Sequence, residues 1–241
     1  MSYSLYEQAP FRQAAGAEFR PGGLALTEEL ADECGLEPGQ RVLDLGCGVG
    51  ATASYLAGRW GVSAFGLDSS ARFIEEAEAH DPGVTWVLGR AQEIPYGEGF
   101  FDAVFCECLL STVDDPVRVL GEIHRVLRAD GRLAITDLYL RNPGRGSSLS
   151  GLPAATCLRG AAGREAVVSM LELAGFTVRV WRDRSDALKA FMGRMVFAYG
   201  SGACFWEAFL GENEDRRASI ALARPGYYML VGEPCADTRR T

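Results

Sequence analysis

The ten residues from Arg41 to Gly50 constrain this chain more than any other stretch. An apolar run, Val42-Leu43-Asp44-Leu45, passes into three closely spaced glycines, Gly46, Gly48 and Gly50. A helical pattern follows, Ala51-Thr52-Ala53-Ser54-Tyr55-Leu56-Ala57. A buried parallel strand, a tight glycine turn and a helix N-terminus together open a nucleotide-binding βα unit. Asp44 is out of place in such a run. An unpaired carboxylate is costly to bury, so it is expected at the strand's end, facing a ligand group that completes it.

The rest of the chain reads as further strand–helix alternation. Strands are expected at Val62–Leu67, Val84–Leu88, Phe101–Cys106 and Arg132–Thr136, with Ala129-Asp130-Gly131 as a turn into the last of these. Between them lie helices opened by Ser69 or Ser70 and by Asp115-Pro116, the second with Val117, Leu120, Ile123 and Leu127 at helical spacing. This alternation predicts a doubly wound, mostly parallel α/β sheet. Before the sheet, Thr27 is placed to cap a helix running to Cys34, and Tyr3, Tyr6, Phe11 and Phe19 sit in an N-terminal arm. After it, Asn142–Gly163 is rich in Gly, Pro and Ser and reads as a long loop or lid. A helix at 164–174, a strand at Thr177–Trp181, an apolar helix carrying Leu188, Phe191, Met192, Met195, Val196 and Tyr199, and a strand at Gly226–Val231 complete the pattern. The apolar helix serves as core packing or as a homodimer surface. The tail from Glu233 is expected to be disordered.

At 241 residues the chain suits one domain. Residues 1–40 form an arm and helix, 41–138 the cofactor-binding core, 139–225 C-terminal elements with a substrate cap, and 226–241 the last strand and tail. No basic n-region precedes an apolar segment, and no apolar run reaches membrane-span length. Seven cysteines, an odd count without regular spacing, argue for reducing cytoplasm rather than a disulfide framework. A net charge of −8 disfavours nucleic acid and anionic membranes as partners. The charge is uneven. Residues 141–194 hold nine basic groups against four acidic ones, a local +5. Two readings stand, a solvated basic face or a pocket wall that attracts an anionic substrate.

The glycine turn by itself leaves two cofactors open. Gly46-Cys47-Gly48-Val49-Gly50-Ala51 satisfies the dinucleotide pattern G-x-G-x-x-A, which keeps an NAD-dependent oxidoreductase in view. Asp44 points the other way, because it would repel a pyrophosphate and favour a ligand with an ammonium group. Asp68, at the tip of the second strand, suits the ribose of either cofactor.

Five motifs in order decide further. These are Val42–Gly50, Gly66-Leu67-Asp68-Ser69-Ser70, Gly89-Arg90-Ala91-Gln92-Glu93-Ile94-Pro95-Tyr96, Phe101-Asp102-Ala103-Val104, and Glu122–Leu133. Across residues 24–138 the chain resembles the class I S-adenosylmethionine-dependent methyltransferases, particularly the branch of quinone-biosynthesis C-methyltransferases. The resemblance implies a Rossmann-like seven-stranded sheet with an antiparallel last strand, helical cap elements, and S-adenosylmethionine as cofactor. It implies that Asp44, Gly46, Cys47 and Gly48 meet the methionine moiety and that Asp68 and Ser69 meet the ribose. Arg90, Ala91 and Gln92 border the adenine, and Cys106 and Glu107 close the site. Arg90 departs from the family pattern, which often has an acidic residue there to accept from the adenine amino group; a guanidinium cannot accept.

Candidate catalytic groups follow from where ligands gather in open α/β sheets. Glu107, Asp137 and Tyr139 come after the fourth and fifth strands. The histidines, His80 and His124, read as a helix-end partner and a surface residue. Cys106-Glu107-Cys108 puts two sulfurs on one side of an extended segment, with Cys157 and Cys204 in the cap. Converging thiolates would suit arsenite as an alternative acceptor, although buried cysteines usually pack as small hydrophobes and no metal site is expected. The leading expectation is methyl transfer to a small-molecule acceptor. An NAD-dependent oxidoreductase and a non-catalytic cofactor-binding partner protein are the alternatives of another class.

Overall fold

The computed structural model describes residues 12, 15, 16, 19–145, 149, 157–210 and 214–235. Tyr3, Tyr6 and Phe11 of the arm, most of the Gly/Ser/Pro loop, and residues 236–241 lie outside them. The described chain builds one mixed sheet from β1 (Arg41–Leu45), β2 (Ser63–Asp68), β3 (Thr85–Leu88), β4 (Phe101–Glu107), β5 (Leu127–Leu140), β6 (Ala162–Gly163), β7 (Phe176–Asp183) and β8 (Pro225–Pro234). The spatial order is β3-β2-β1-β4-β5-β8-β7, with β6 beside the end of β5. All neighbours are parallel except β8, which runs antiparallel to both β5 and β7.

Helices cover both faces: α1 (Gly23–Cys34), α2 (Ala51–Trp60), α3 (Ala71–His80), α4 (Pro116–Val126), α5 (Arg164–Leu173), α6 (Ser185–Ala198), α7 (Gly202–Leu210) and α8 (Glu214–Ala223). Alternation along each strand sorts side chains into two cores. Leu43, Val104, Cys106, Ile135, Tyr228 and Leu230 pack on one face. Val42, Ala103, Phe105, Ala134, Met229 and Val231 pack on the other, under Leu30 of α1 and Leu56 of α2. Burial on both faces explains why β1 and β4 read as continuous apolar runs rather than as alternation.

Local signals act where they were expected, with exceptions. Ser70 Oγ accepts from Phe73 N at the start of α3, and Asp115 Oδ1 accepts from Arg118 N at the start of α4, with Pro116 in the first turn. Thr27 is not a cap. The helix begins at Gly23, and Thr27 lies inside it, buried, with its hydroxyl turned to the sheet. The turn foreseen at Ala129-Asp130-Gly131 is absorbed into β5, whose register to β4 shifts between Phe101 and Ala103. Strands β7 and β8 outrun their expected ends because they pair from Phe176↔Pro234 to Asp183↔Tyr228. Glu233 and Pro234 are therefore strand, not tail. The eighth strand, β6, is two residues long and carries no sequence signal of its own.

The described parts of the cap are packed. Leu149 and Leu158 meet Leu140, Ile220 and Ala223 in a third apolar cluster. In a fourth, Phe191 and Met195 of α6 pack on Ala15 and Phe205, so the apolar stripe of α6 is largely spent within the chain. No helix among the described residues is long and apolar enough to cross a membrane.

Candidate functional site

Asp44 is the next-to-last residue of β1, in register with Gly66 of β2 and Phe105 of β4. It is 4 % exposed. The backbone N–H of Ala53 reaches its carboxyl group, yet Oδ2 has no hydrogen-bond partner. Burial, then repulsion from Glu107, pushes its pKa up to about 8 against the pull of Arg20. A buried carboxyl group with one unpartnered oxygen thus stands beside the glycine turn.

The glycine turn is tied to β2 by Gly46 N and Cys47 N, which both donate to Leu67 O at 2.7 and 3.1 Å. At Gly46, with φ of 78°, a side chain would be strained and its Cβ would press on Leu109 at 3.0 Å. Asp68 then couples the turn to the next helix. Its Oδ2 accepts from Gly48 N at 2.9 Å and its Oδ1 from Ser70 N at 2.8 Å. The carboxylate is half-buried. Ser69 is exposed, Ala91 buried and Gln92 half-buried. Arg90 is exposed and its backbone bridges to Glu93, so this departure from the family pattern points to solvent.

Glu107 ends β4 inside a buried network. Arg20 Nη2 lies 2.8 Å from its Oε2, and the hydroxyls of Thr27 and Thr52 donate to it, Thr52 at 2.9 Å. Asp137 accepts from Ser111 N at 2.9 Å and from the Ser111 hydroxyl at 2.5 Å, and also from Leu138 N. Burial raises its pKa to about 6, against those hydrogen bonds. The Tyr139 hydroxyl donates to Asp183 Oδ2 at 2.7 Å. All three candidate catalytic groups are thus engaged in bonds that hold strands and loops together. Sequence reasoning missed Arg20, Ser111 and Leu109. Arg20 sits in Phe19-Arg20-Pro21-Gly22 with nothing in its neighbourhood to announce a buried ion pair.

The cysteines do not gather as the spacing suggested. Cys106 is fully buried in the core. Cys108 has φ of 54°, which breaks the extended alternation, and its sulfur lies 3.0 Å from the Tyr227 hydroxyl. Cys204 is exposed. Among the described residues, Cys108, Cys157 and Asp137 bring their ligand atoms within 4.8 Å of one another. The Asp137 oxygens already accept three protein hydrogen bonds, which leaves that carboxylate little capacity for a metal ion. His80 is exposed at the end of α3, and His124 is half-buried against Phe176 with ring centroids 5.3 Å apart.

A cavity of about 490 Å³ adjoins this cleft. Phe19 belongs to both, since its ring lies 3.7 Å from where a Cβ on Gly48 would stand and also lines the cavity. The walls are apolar, formed by Leu138, Leu158, Phe191, Met195, Trp206 and Ile220 among others.

Residues 43–135 match the family described as methyltransferase domain. An uncharacterised methyltransferase of Synechocystis is 39 % identical over 106 residues, 43 % of this chain and 50 % of its own length. A demethylmenaquinone methyltransferase of Beutenbergia cavernae is 37 % identical over 106 residues, 44 % of each chain. The chain spans about half the length of the curated relatives it matches. Among solved structures, Haemonchus contortus phosphoethanolamine N-methyltransferase 2, bound to S-adenosyl-L-methionine, superposes with a TM-score of 0.74 at 19 % identity, over 94 % of this chain and 56 % of that one. The [4+2]-cyclase SpnF superposes with a TM-score of 0.73 at 23 % identity, over 92 % of this chain and 85 % of that one. At such identities the structures speak to the fold alone. The family match spans β1 to β5, where the glycine turn, Asp44 and Asp68 lie, and over residues 43–135 the chain is similar to the methyltransferase-domain family.

Proposed function

We propose that this protein is an S-adenosylmethionine-dependent methyltransferase acting on a small-molecule acceptor held in the cavity beside Phe19. The observation that carries the reading is the buried carboxyl of Asp44, with an unpartnered oxygen beside a glycine turn that Asp68 braces. An amino-acid-bearing nucleoside satisfies both groups at once. Its ammonium completes Asp44, and its ribose hydroxyls donate to Asp68. A dinucleotide would set a pyrophosphate beside Asp44, which offers that carboxyl no ammonium and further opposes its ionisation, and this argues against the oxidoreductase alternative.

In this reading Asp44, Gly46, Cys47 and Gly48 border the methionine moiety, Asp68 and Ser69 the ribose, and Ala91 and Gln92 the adenine. Leu109 covers the turn. Arg90 takes no part. When bound, S-adenosylmethionine supplies an electrophilic methyl group on a sulfonium, so the protein's share is alignment, desolvation and exclusion of water. Glu107 and Cys106 contribute from beneath, Glu107 by fixing the N-terminal segment through Arg20, and Cys106 by core packing. Asp137 and Tyr139 serve as supports of the strand-end loops rather than as bases. Residues 41–138 work as the cofactor core and 139–225 as the acceptor cap of one unit.

Arsenite as the acceptor keeps only Cys108 and Cys157 of its four candidate thiols. A homodimer built on α6 has Phe197, 88 % exposed, as its most prominent free apolar side chain. SpnF shares this fold under the name of a cyclase, so the fold does not by itself choose the chemistry.

A crystal structure with S-adenosylhomocysteine soaked in tests the assignment. The account expects the ligand's amino group within hydrogen-bond reach of Asp44 and its ribose on Asp68. Density for the nucleoside elsewhere would overturn it.

A further inference from the structure

We infer that the cavity beside Phe19 takes an amphipathic acceptor, an apolar body carrying one anionic group that docks between Arg141 and Arg224. The inference rests on reading the cavity as the acceptor site and adds the chemical class of what enters it. The walls set the body. A cavity of about 490 Å³ is of the size that receives small organic molecules. Side chains of Leu, Met, Phe, Trp and Ile offer that body little to hydrogen-bond, which disfavours sugars and other polyols.

The charge is set by three cations. Arg141, Lys189 and Arg224 line the cavity, and among the described residues no carboxylate does, although the chain as a whole is at −8. The two arginines are fixed side by side. Arg141 N donates to Arg224 O at 3.2 Å where the end of β5 meets the start of β8, with Leu140 opposite Pro225. Arg224 holds a left-handed backbone, φ 50°, which is uncommon for a residue of this kind. Both side chains line the cavity from these neighbouring backbone positions, so an anion entering it meets two cations. Asp183 offsets that charge only in part. It lies 3.7 Å from Arg141 and is already shared with the Tyr139 hydroxyl and Ser185 N. A carboxylate, sulfonate or phosphate on the acceptor would complete the pair bidentately. A neutral hydrocarbon would leave the cations facing an apolar ligand. Of the nine basic residues in segment 141–194, Arg141 and Lys189 stand in the pocket wall.

The test uses two matched probes, 1-anilinonaphthalene-8-sulfonate and its neutral counterpart N-phenyl-1-naphthylamine, followed by energy transfer from Trp206 to the bound dye. The sulfonate is expected to bind tighter by about tenfold or more, the size of a charge-assisted hydrogen bond. In an Arg141→Gln/Arg224→Asn variant the sulfonate weakens by about that factor while the amine stays within about twofold. Both side chains are exposed, so the fold is not at stake, and asparagine tolerates the left-handed backbone. Equal affinity for the two probes in the wild type, or an unchanged sulfonate affinity in the variant, would overturn the inference. So would transfer that persists undiminished in Trp206→Phe, since the dye would then sit elsewhere. Calorimetry with S-adenosylhomocysteine on the same proteins separates the two claims. Failure to bind it strikes the proposed function, whereas loss of the sulfonate preference strikes the acceptor class alone.

Discussion

Asp44 carries the account at the scale of single residues. Its pKa of about 8 lies above that of an unfolded aspartate, so the cofactor-free fold is favoured fully below about pH 4 by this group and loses that contribution as pH rises through about 8. Thermal melts of the cofactor-free protein are expected to show this loss between pH 5 and about 8, and Asp44→Asn is expected to flatten it. The same group predicts a proton signal on binding. An ammonium beside Asp44 ionises it, so S-adenosylhomocysteine is expected to displace up to about one proton at neutral pH, seen as calorimetric heats that track the buffer's ionisation enthalpy. Heats that do not depend on buffer would remove the ammonium from Asp44. At Asp68, replacement by alanine strips acceptors from Gly48 N and Ser70 N as well as from the ribose. The expected loss of cofactor affinity is about 1–3 kcal/mol, measured as a change in Kd. Both aspartates were legible in the sequence because a carboxylate at the end of a buried apolar run has few structural explanations. Arg20 was not, since nothing local in a sequence records a partner some ninety residues away.

At the scale of elements, the N-terminal segment and β4 are joined by the ion pair of Arg20 with Glu107, both side chains 5 % exposed or less. Removing the guanidinium leaves Glu107 buried beside only Thr27 and Thr52. Arg20→Ala is therefore expected to cost about 3–5 kcal/mol in urea unfolding, against far less for Arg72→Ala in the exposed pair with Glu76. Gly50 shows the converse constraint. Its φ is 86°, and a Cβ there would fall 2.2 Å from the Trp86 ring. Gly50→Ala is expected to destabilise by more than about 1 kcal/mol, because strain and overlap add. Glycine spacing made this turn readable. The helix start at Gly23 was not, because Thr27 looks like a cap and is drawn inward by Glu107 instead. The thiols of Cys106 and Cys108 parted for a similar reason, a single left-handed residue that periodicity cannot foresee.

At the scale of the whole molecule, β8 is the keystone. It enters antiparallel between β5 and β7 and buries Tyr227, Tyr228, Met229, Leu230 and Val231 almost completely. Its amides, with those of β4 and β5, are expected to exchange hydrogen slowest, while α7 and α8, which bury little beyond Phe205, Ile220 and Ala223, exchange sooner. The parallel half of the sheet was legible because strand–turn–helix units repeat local signals. The cap was less so, since its packing joins Leu149, Leu158 and Ile220 across long separations. Cofactor choice is the claim on which the rest depends, and calorimetric titration with S-adenosylhomocysteine and with NAD addresses it directly. The account predicts saturable binding of S-adenosylhomocysteine and none of NAD; binding of NAD alone would contradict it.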